Sequence, residues 1–174
     1  MTNIGIVGYG IVGKAVEYGF RGKENDILYY DKYKKSDSLE KVIGDSEFIF
    51  VCLPTPYKED RIDLSIMNEN IGKIAGLPQS TGKVIIIKSS VIPGTTRGYA
   101  EKYRANNFCF NPEFLREETY LEDFVNADRI VIGADNDKII LRVTDLYKDR
   151  FPITPIYHTN LTTAEMVKYM ANCL

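Results

Sequence analysis

The sequence predicts an α/β fold built on a doubly wound parallel sheet, and three observations predict it. A glycine turn, Gly8-Tyr9-Gly10-Ile11-Val12-Gly13, stands directly between a strand-like run and a helix-like run. Continuous apolar runs from Phe48 to Leu53 and from Lys83 to Lys88 have the composition of strands covered on both faces, as parallel sheets require. Segments of helical period alternate with such runs along the chain, giving a βαβ series without internal repeats or low-complexity tracts.

Taken in order, Asn3 to Val7 reads as a short buried strand. From Ile11 to Arg21 the apolar residues Ile11, Val12, Ala15, Val16 and Phe20 recur at helical spacing, and Gly22 supplies a stop. Asp26 to Tyr30 is a second strand, ending at Asp31. Asp37 to Ile43 forms a short helix in which Asp37 and Glu40 are placed as a capping box. The strand from Phe48 is followed by a helix from Leu64 to Ala75 with Asp63 as N-cap, then by the strand at 83–88. Further strands are expected at 107–110, 129–132 and 152–158, with helices at 96–104, 137–147 and 161–173. Right-handed crossovers would place the ligand crevice at the carboxyl ends of the strands, so the segments that follow strands are weighed first.

With 174 residues, 44% of them hydrophobic, the chain can bury a single sizeable core. Its 22 basic and 24 acidic residues give no nucleic-acid footprint, and no run has the apolar length of a membrane span or signal peptide, so the expected setting is cytoplasmic. Cys52, Cys109 and Cys173 lack paired spacing and read as free thiols, and His158 stands alone, which argues against a metal site.

In the glycine turn, Gly8 permits a tight turn, Gly10 lets backbone approach a diphosphate, and Gly13 lets the helix pack on the sheet. The helix start, with Ile11 and Val12, offers free N–H groups and a positive dipole end. Asp31 lies near the offset of an acidic group that accepts ribose hydroxyls, which points to NAD. Lys32, Lys34 and Lys35 are an opposing signal for a 2'-phosphate, although a charge run is more often a solvated loop.

Three segments follow strands: Leu53-Pro54-Thr55-Pro56, Ser90-Val91-Ile92-Pro93-Gly94-Thr95, and Asn111-Pro112-Glu113-Phe114-Leu115-Arg116-Glu117. A fourth, from Ala164 through Glu165, Met166, Val167, Lys168, Tyr169, Met170 and Ala171 to Asn172, is helical. Each has an ordinary structural alternative, the last as an amphipathic helix with Met166, Val167, Met170, Ala171 and Leu174 on its apolar face. Together with the glycine turn they resemble the NAD-binding domain of the nucleotide-sugar dehydrogenases, the family of UDP-glucose 6-dehydrogenase and GDP-mannose dehydrogenase.

That resemblance implies a Rossmann-like domain over residues 1–160 and the start of a long connecting helix over 161–174. It implies that a primary alcohol of a nucleotide sugar is oxidised twice by NAD, through an aldehyde and a cysteine-bound thioester, to a carboxylate. By matching position, Glu113 handles protons and water, Lys168 stabilises charge at the reacting oxygen, and Asn172 shares the sugar with Lys168. Phe114 and Leu115 match backbone contacts to the sugar nucleotide. Pro54, Thr55, Ser90 and Glu117 match contacts around the nicotinamide end. UDP-glucose is the expected substrate and GDP-mannose the alternative. A homodimer is implied for the full-length protein, while a stand-alone NAD-binding module or a one-step hydride-transfer enzyme remain rival readings.

Three departures qualify the resemblance. Nothing here matches the family's glycine-rich Cys-Phe-Pro-Lys segment, so the isolated chain is expected to bind NAD without turning over sugar. The sequence ends within a helix with no stop signal before Leu174, which suggests a domain of a longer protein. The stretch from Asp31 to Phe48 is shorter than the family usual.

Overall fold

The computed structural model describes residues 2–22 and 25–173. Strand β1 (Thr2–Val7) leads through the glycine turn into helix α1 (Ile11–Phe20), followed by β2 (Asn25–Tyr30), α2 (Leu39–Asp45) and β3 (Phe48–Val51). A short hairpin, β4 (Tyr57–Lys58) and β5 (Arg61–Ile62), precedes α3 (Ser65–Gly76) and β6 (Val84–Ile87). Then come α4 (Thr95–Lys102), β7 (Asn107–Phe110), α5 (Tyr120–Val125), β8 (Ile130–Gly133), α6 (Asp137–Arg150), β9 (Ile156–Thr159) and α7 (Leu161–Cys173). Among the described residues no helix is long and apolar enough to cross a membrane.

Seven strands make one sheet in the order β2-β1-β3-β6-β7-β8-β9. From β2 to β7 all neighbours are parallel. At β7 the direction changes, because β8 pairs with it antiparallel, while β9 is parallel to β8. The α/β class and doubly wound core are therefore as expected, with the parallel run ending at β7. The connection explains the reversal. Between β7 and β8 the chain forms only the six-residue α5, which packs on α1. With no full crossover helix to carry it back along the sheet, the chain re-enters from the end at which β7 finished.

Both faces of the sheet are covered, which is why its central strands are apolar throughout. Phe48 and Phe50 of β3 and Val84 and Ile86 of β6 point to the layer formed by α1, α5 and α6. Ile49, Val51, Ile85 and Ile87 point to the layer of α2, α3, α4 and α7. On the first face Phe20 is the hub of an aromatic cluster, with ring centroids 5.5 Å from Phe50, 5.1 Å from Tyr147 and 5.7 Å from Phe151.

Two helix starts differ from expectation. Ser38, not Asp37, caps α2, its hydroxyl accepting from the Lys41 N–H at 3.2 Å, and Asp37 instead pairs with the Lys41 ammonium at 2.8 Å. Asp63 does serve α3, accepting from the Ser65 N–H at 2.9 Å, but from one residue outside the N-cap, Leu64.

Helix α7 buries an unexpected face. Leu161, Ala164, Glu165 and Lys168 are buried, whereas Met166 and Met170 are exposed. The apolar stripe read from the sequence therefore faces outward for these two methionines, because Glu165 and Lys168 have polar partners inward. Gly133 at the end of β8 makes the close approach of α7 possible: a Cβ there would run into the Ala164 side chain and come within 3.0 Å of the Asn160 carbonyl. Gly133→Ala should therefore lower stability by about 1–3 kcal/mol through overpacking. Urea denaturation of the variant checks this, and an unchanged midpoint would contradict the packing of α7 on β8.

Candidate active site

At the carboxyl ends of the central strands, backbone pairing continues one step past each ladder. Gly8 N–H donates to Tyr30 O (2.9 Å), Cys52 N–H to Val7 O (2.8 Å), Lys88 N–H to Val51 O (3.0 Å) and Asn111 N–H to Ile87 O (3.0 Å). The four strand ends are thus aligned, and the segments that follow them wall a cleft of about 590 Å³. All the cofactor residues expected from the sequence line it except Gly13 and Glu117. Gly13 is buried behind the turn, and Glu117 is exposed on the segment leading to α5.

The three glycines of the turn have different duties. Gly8 has φ +96°, a left-handed conformation suited to glycine, and a Cβ there would collide with the Cys52 carbonyl. A Cβ on Gly13 would collide with the Gly8 carbonyl. Gly10 has open space where its Cβ would be, and no side chain caps the first turn of α1. The orphan N–H groups of that turn are therefore left to an external anion, and the cradle fits a diphosphate.

Asp31 braces the same turn. Its Oδ2 accepts from the Tyr9 N–H at 2.8 Å and its Oδ1 from the Tyr33 N–H at 2.9 Å. The Lys34 ammonium folds back onto the Tyr9 carbonyl and lies 5.5 Å over the Tyr9 ring, which stacks on Tyr29 at 3.9 Å. Lys34 is thus engaged by the protein, which weakens it as a signal for a 2'-phosphate.

At the other end of the cleft, Thr55 Oγ1 donates to the Ser90 carbonyl at 2.7 Å and the Ser89 hydroxyl accepts from the Leu53 N–H at 2.8 Å. These bonds tie together the two segments that follow β3 and β6. Cys52 stands at this wall and Cys109 is buried behind it, and burial pushes both thiols up to about 12.

Glu113 and Lys168 meet although 55 residues separate them. The Lys168 ammonium donates to Glu113 Oε1 and to the Glu113 carbonyl, both at 2.6 Å, and the two side chains are only 7% and 14% exposed. Glu113 Oε2 accepts from the Leu115 N–H at 2.8 Å, fixing the carboxylate on its own loop. Phe114 and Leu115 line a second cavity, of about 490 Å³, on the α5 and α6 side of this loop. Asn172 belongs to the last turn of α7, and its side chain lies outside the described residues.

Three site residues were not singled out from the sequence. Glu165 is fully buried and accepts from Gly94 N–H (2.5 Å) and Thr96 N–H (2.8 Å), so a carboxylate one turn before Lys168 anchors α7 to the start of α4. Lys88 lines both cavities and is buried. Asn111 orients it through hydrogen bonds. The available signal for Lys88 was its position, a lysine closing an apolar strand at the end where the crevice opens.

Comparisons with known proteins agree with this geometry. Residues 14–151 match the family model described as the NAD binding domain of the UDP-glucose/GDP-mannose dehydrogenase family. The UDP-glucose 6-dehydrogenase of Rickettsia bellii is 33% identical over 154 residues, covering 83% of this chain and 35% of that protein. An uncharacterized protein of Methanocaldococcus jannaschii is 37% identical over 142 residues, 76% of this chain and 16% of its own length. A solved UDP-glucose dehydrogenase from Pyrobaculum islandicum superposes with a TM-score of 0.87 at 26% identity, over 99% of this chain and 49% of that one. The chain thus spans about a third or less of the length of these curated relatives.

The open space beside Gly10 separates fold from binding. Gly10→Val should leave the thermal midpoint nearly unchanged yet weaken NAD binding at least about tenfold, by occupying the diphosphate position. Calorimetric titration reads this directly, and retained affinity would remove the phosphate-turn assignment.

Proposed function

Because this chain belongs to the UDP-glucose/GDP-mannose dehydrogenase family as its NAD-binding domain, we propose that it is the cofactor half of a nucleotide-sugar 6-dehydrogenase. The observation that carries this reading is the buried Lys168–Glu113 pair, held next to the NAD cleft where a substrate alcohol would meet both a cation and a carboxylate. In this proposal residues 1–160 form the domain, and α7 begins the helix that leads to a sugar-binding half. The full-length protein would be a homodimer.

Gly10, Ile11 and Val12 hold the diphosphate at the start of α1, and Asp31 accepts the adenosine ribose hydroxyls. Pro54, Thr55, Ser90 and, by family position, Glu117 surround the nicotinamide end. When bound, NAD accepts a hydride from the carbinol carbon of the sugar. Lys168 stabilises negative charge on the reacting oxygen, a role suited to a cation kept from water. Glu113 orients water and takes its proton at the carboxylate, on a loop that its own bond to Leu115 keeps in place. The backbone of Phe114 and Leu115, with Asn172, holds the sugar nucleotide.

Neither Cys52 nor Cys109 is assigned the thiol of the second oxidation, since burial keeps both protonated and unreactive, and the side chain of Cys173 lies outside the described residues. UDP-glucose is the preferred substrate, on the names of the relatives, with GDP-mannose next by the family description.

Calorimetry with NAD and NADP tests the cofactor assignment, and absorbance of NADH with UDP-glucose tests turnover. The chain should bind NAD, bind NADP at least about tenfold more weakly because Asp31 repels a 2'-phosphate, and form negligible NADH because in this reading the sugar is held by the other half. Production of glucuronate by this chain alone would overturn the split between halves. Asp31→Ala should weaken NAD by about 1.5–3 kcal/mol, the size of a lost charged hydrogen bond. An unchanged dissociation constant would sink that assignment.

A further inference from the structure

Lys88 directly follows β6 with its side chain turned into the interior, and the residue is only 3% exposed. Its ammonium donates to Asn111 Oδ1 at 2.7 Å and to the Asn111 carbonyl at 3.3 Å, and lies 5.5 Å over the Phe124 ring. Both acceptors are neutral. Among the described residues Lys88 forms no ion pair, and Glu113, the carboxylate whose field reaches it, is bound to Lys168 at 2.6 Å.

The arrangement is built to hold a charge in place. Asn111 donates its amide N–H to the Val131 carbonyl at 2.7 Å and accepts the Tyr147 hydroxyl at 2.5 Å, so its amide oxygen is fixed toward Lys88. A buried ammonium without a counter-ion is rare, because desolvation is repaid only by good partners. Here it lines the cofactor cleft beside Cys52 and Ser89 and also the cavity on the α5 side.

Its position in the cleft gives the charge a target. The adenosine end of a dinucleotide is set by Asp31 and the diphosphate by Gly10, so the remaining length runs toward Thr55, Ser90 and Lys88. That end of NAD carries the ring whose charge changes in the reaction. The oxidised ring is positive, and on taking a hydride from the carbinol carbon it becomes neutral, the hydroxyl proton leaving separately.

We propose that Lys88 is a fixed positive charge that biases the bound cofactor toward its reduced form. The proposal rests on the NAD-binding reading above. A cation in a water-poor wall disfavours the oxidised ring and leaves the neutral reduced ring almost unaffected. The consequence is a more oxidising bound couple, which favours hydride removal from an alcohol.

The test is the ratio of the dissociation constants of NAD+ and NADH, measured calorimetrically on the whole chain. Lys88→Met should lower that ratio by about tenfold, the size of one charge–charge interaction at an intermediate dielectric, and Lys88→Arg should leave it within about threefold. A general loss of packing moves both constants together and does not move the ratio. If Lys88→Met does not fold, the wild-type ratio at pH 7 and at about pH 9.5 decides, because burial pulls the Lys88 ammonium down to about 8. The titratable groups facing it are Cys52, Cys109, Glu113 and Lys168, with Tyr147 beyond Asn111. Both thiols, pushed up to about 12, stay neutral across that range. A ratio that is constant in Lys88→Met, or with pH, overturns the proposal while leaving NAD binding intact. Failure to bind either form removes the cofactor reading together with it.

Discussion

Everything at the ligand-binding edge depends on one steric constraint: three stretches of backbone meet where β1 turns into α1, and no side chain fits between them. A Cβ on Gly8 would enter the Cys52 carbonyl and a Cβ on Gly13 would enter the Gly8 carbonyl. This closeness draws the start of α1 in against the ends of β1 and β3, so its unpaired N–H groups open into the cleft. Gly10, with open space at its Cβ, is the one glycine of the turn whose missing side chain no contact within the fold requires, and the proposed function assigns that space to the diphosphate. Asp31 closes the arrangement from the β2 side by accepting the Tyr9 N–H. A single carboxylate thus fixes the turn through Tyr9 and its own loop through Tyr33, and in the proposed function it is also the acceptor for the adenosine ribose.

The second half of the site depends on a different kind of closeness. Helix α7 is drawn onto the sheet at Gly133 and anchored to α4 by Glu165, and only then does Lys168 reach Glu113. Both carboxylates on this path are satisfied by N–H donors or an ammonium, which is the condition for burying them at all. Breaking the Lys168–Glu113 pair from one side leaves an uncompensated charge with little access to water, so the pair should be judged by its position and not by its net stabilisation.

How far the sequence disclosed this can be argued from particular elements. The strands at β1, β3, β6 and β7 were legible because burial on both faces leaves their buried positions apolar. The hairpin at 57–62 was not, since its turn places Glu59 and Asp60 at positive φ without the glycine that usually marks such a turn. Helix α5 has six residues, too few for a periodic signal, and with it went the reversal of β8. In the site, the residues that follow strands converge as topology requires. Periodicity alone assigned the methionines of α7 to an apolar face, whereas Glu165 and Lys168 are buried through specific partners that no periodicity reports. Lys88 was hidden for a related reason, since a lysine after four apolar residues reads as a strand end reaching water.

Lys88 also shows what the fold tolerates in order to keep its site. Burial pulls its ammonium to about 8 from an ordinary value of 10.5, so holding it charged costs on the order of 3 kcal/mol at neutral pH. The sign follows from linkage: below about 8 the group is protonated both folded and unfolded, and the full cost is present. As pH rises toward the unfolded value, the folded chain releases its proton first and the cost fades, so this group makes the fold more stable with rising pH. An apolar residue of similar length would avoid the cost at every pH, and the surrounding layer of Phe124, Tyr147 and Cys109 would accept one. A positive charge kept there against that alternative, and oriented by an amide that is itself fixed on both sides, is better explained by what lies across the cleft than by the stability of the sheet.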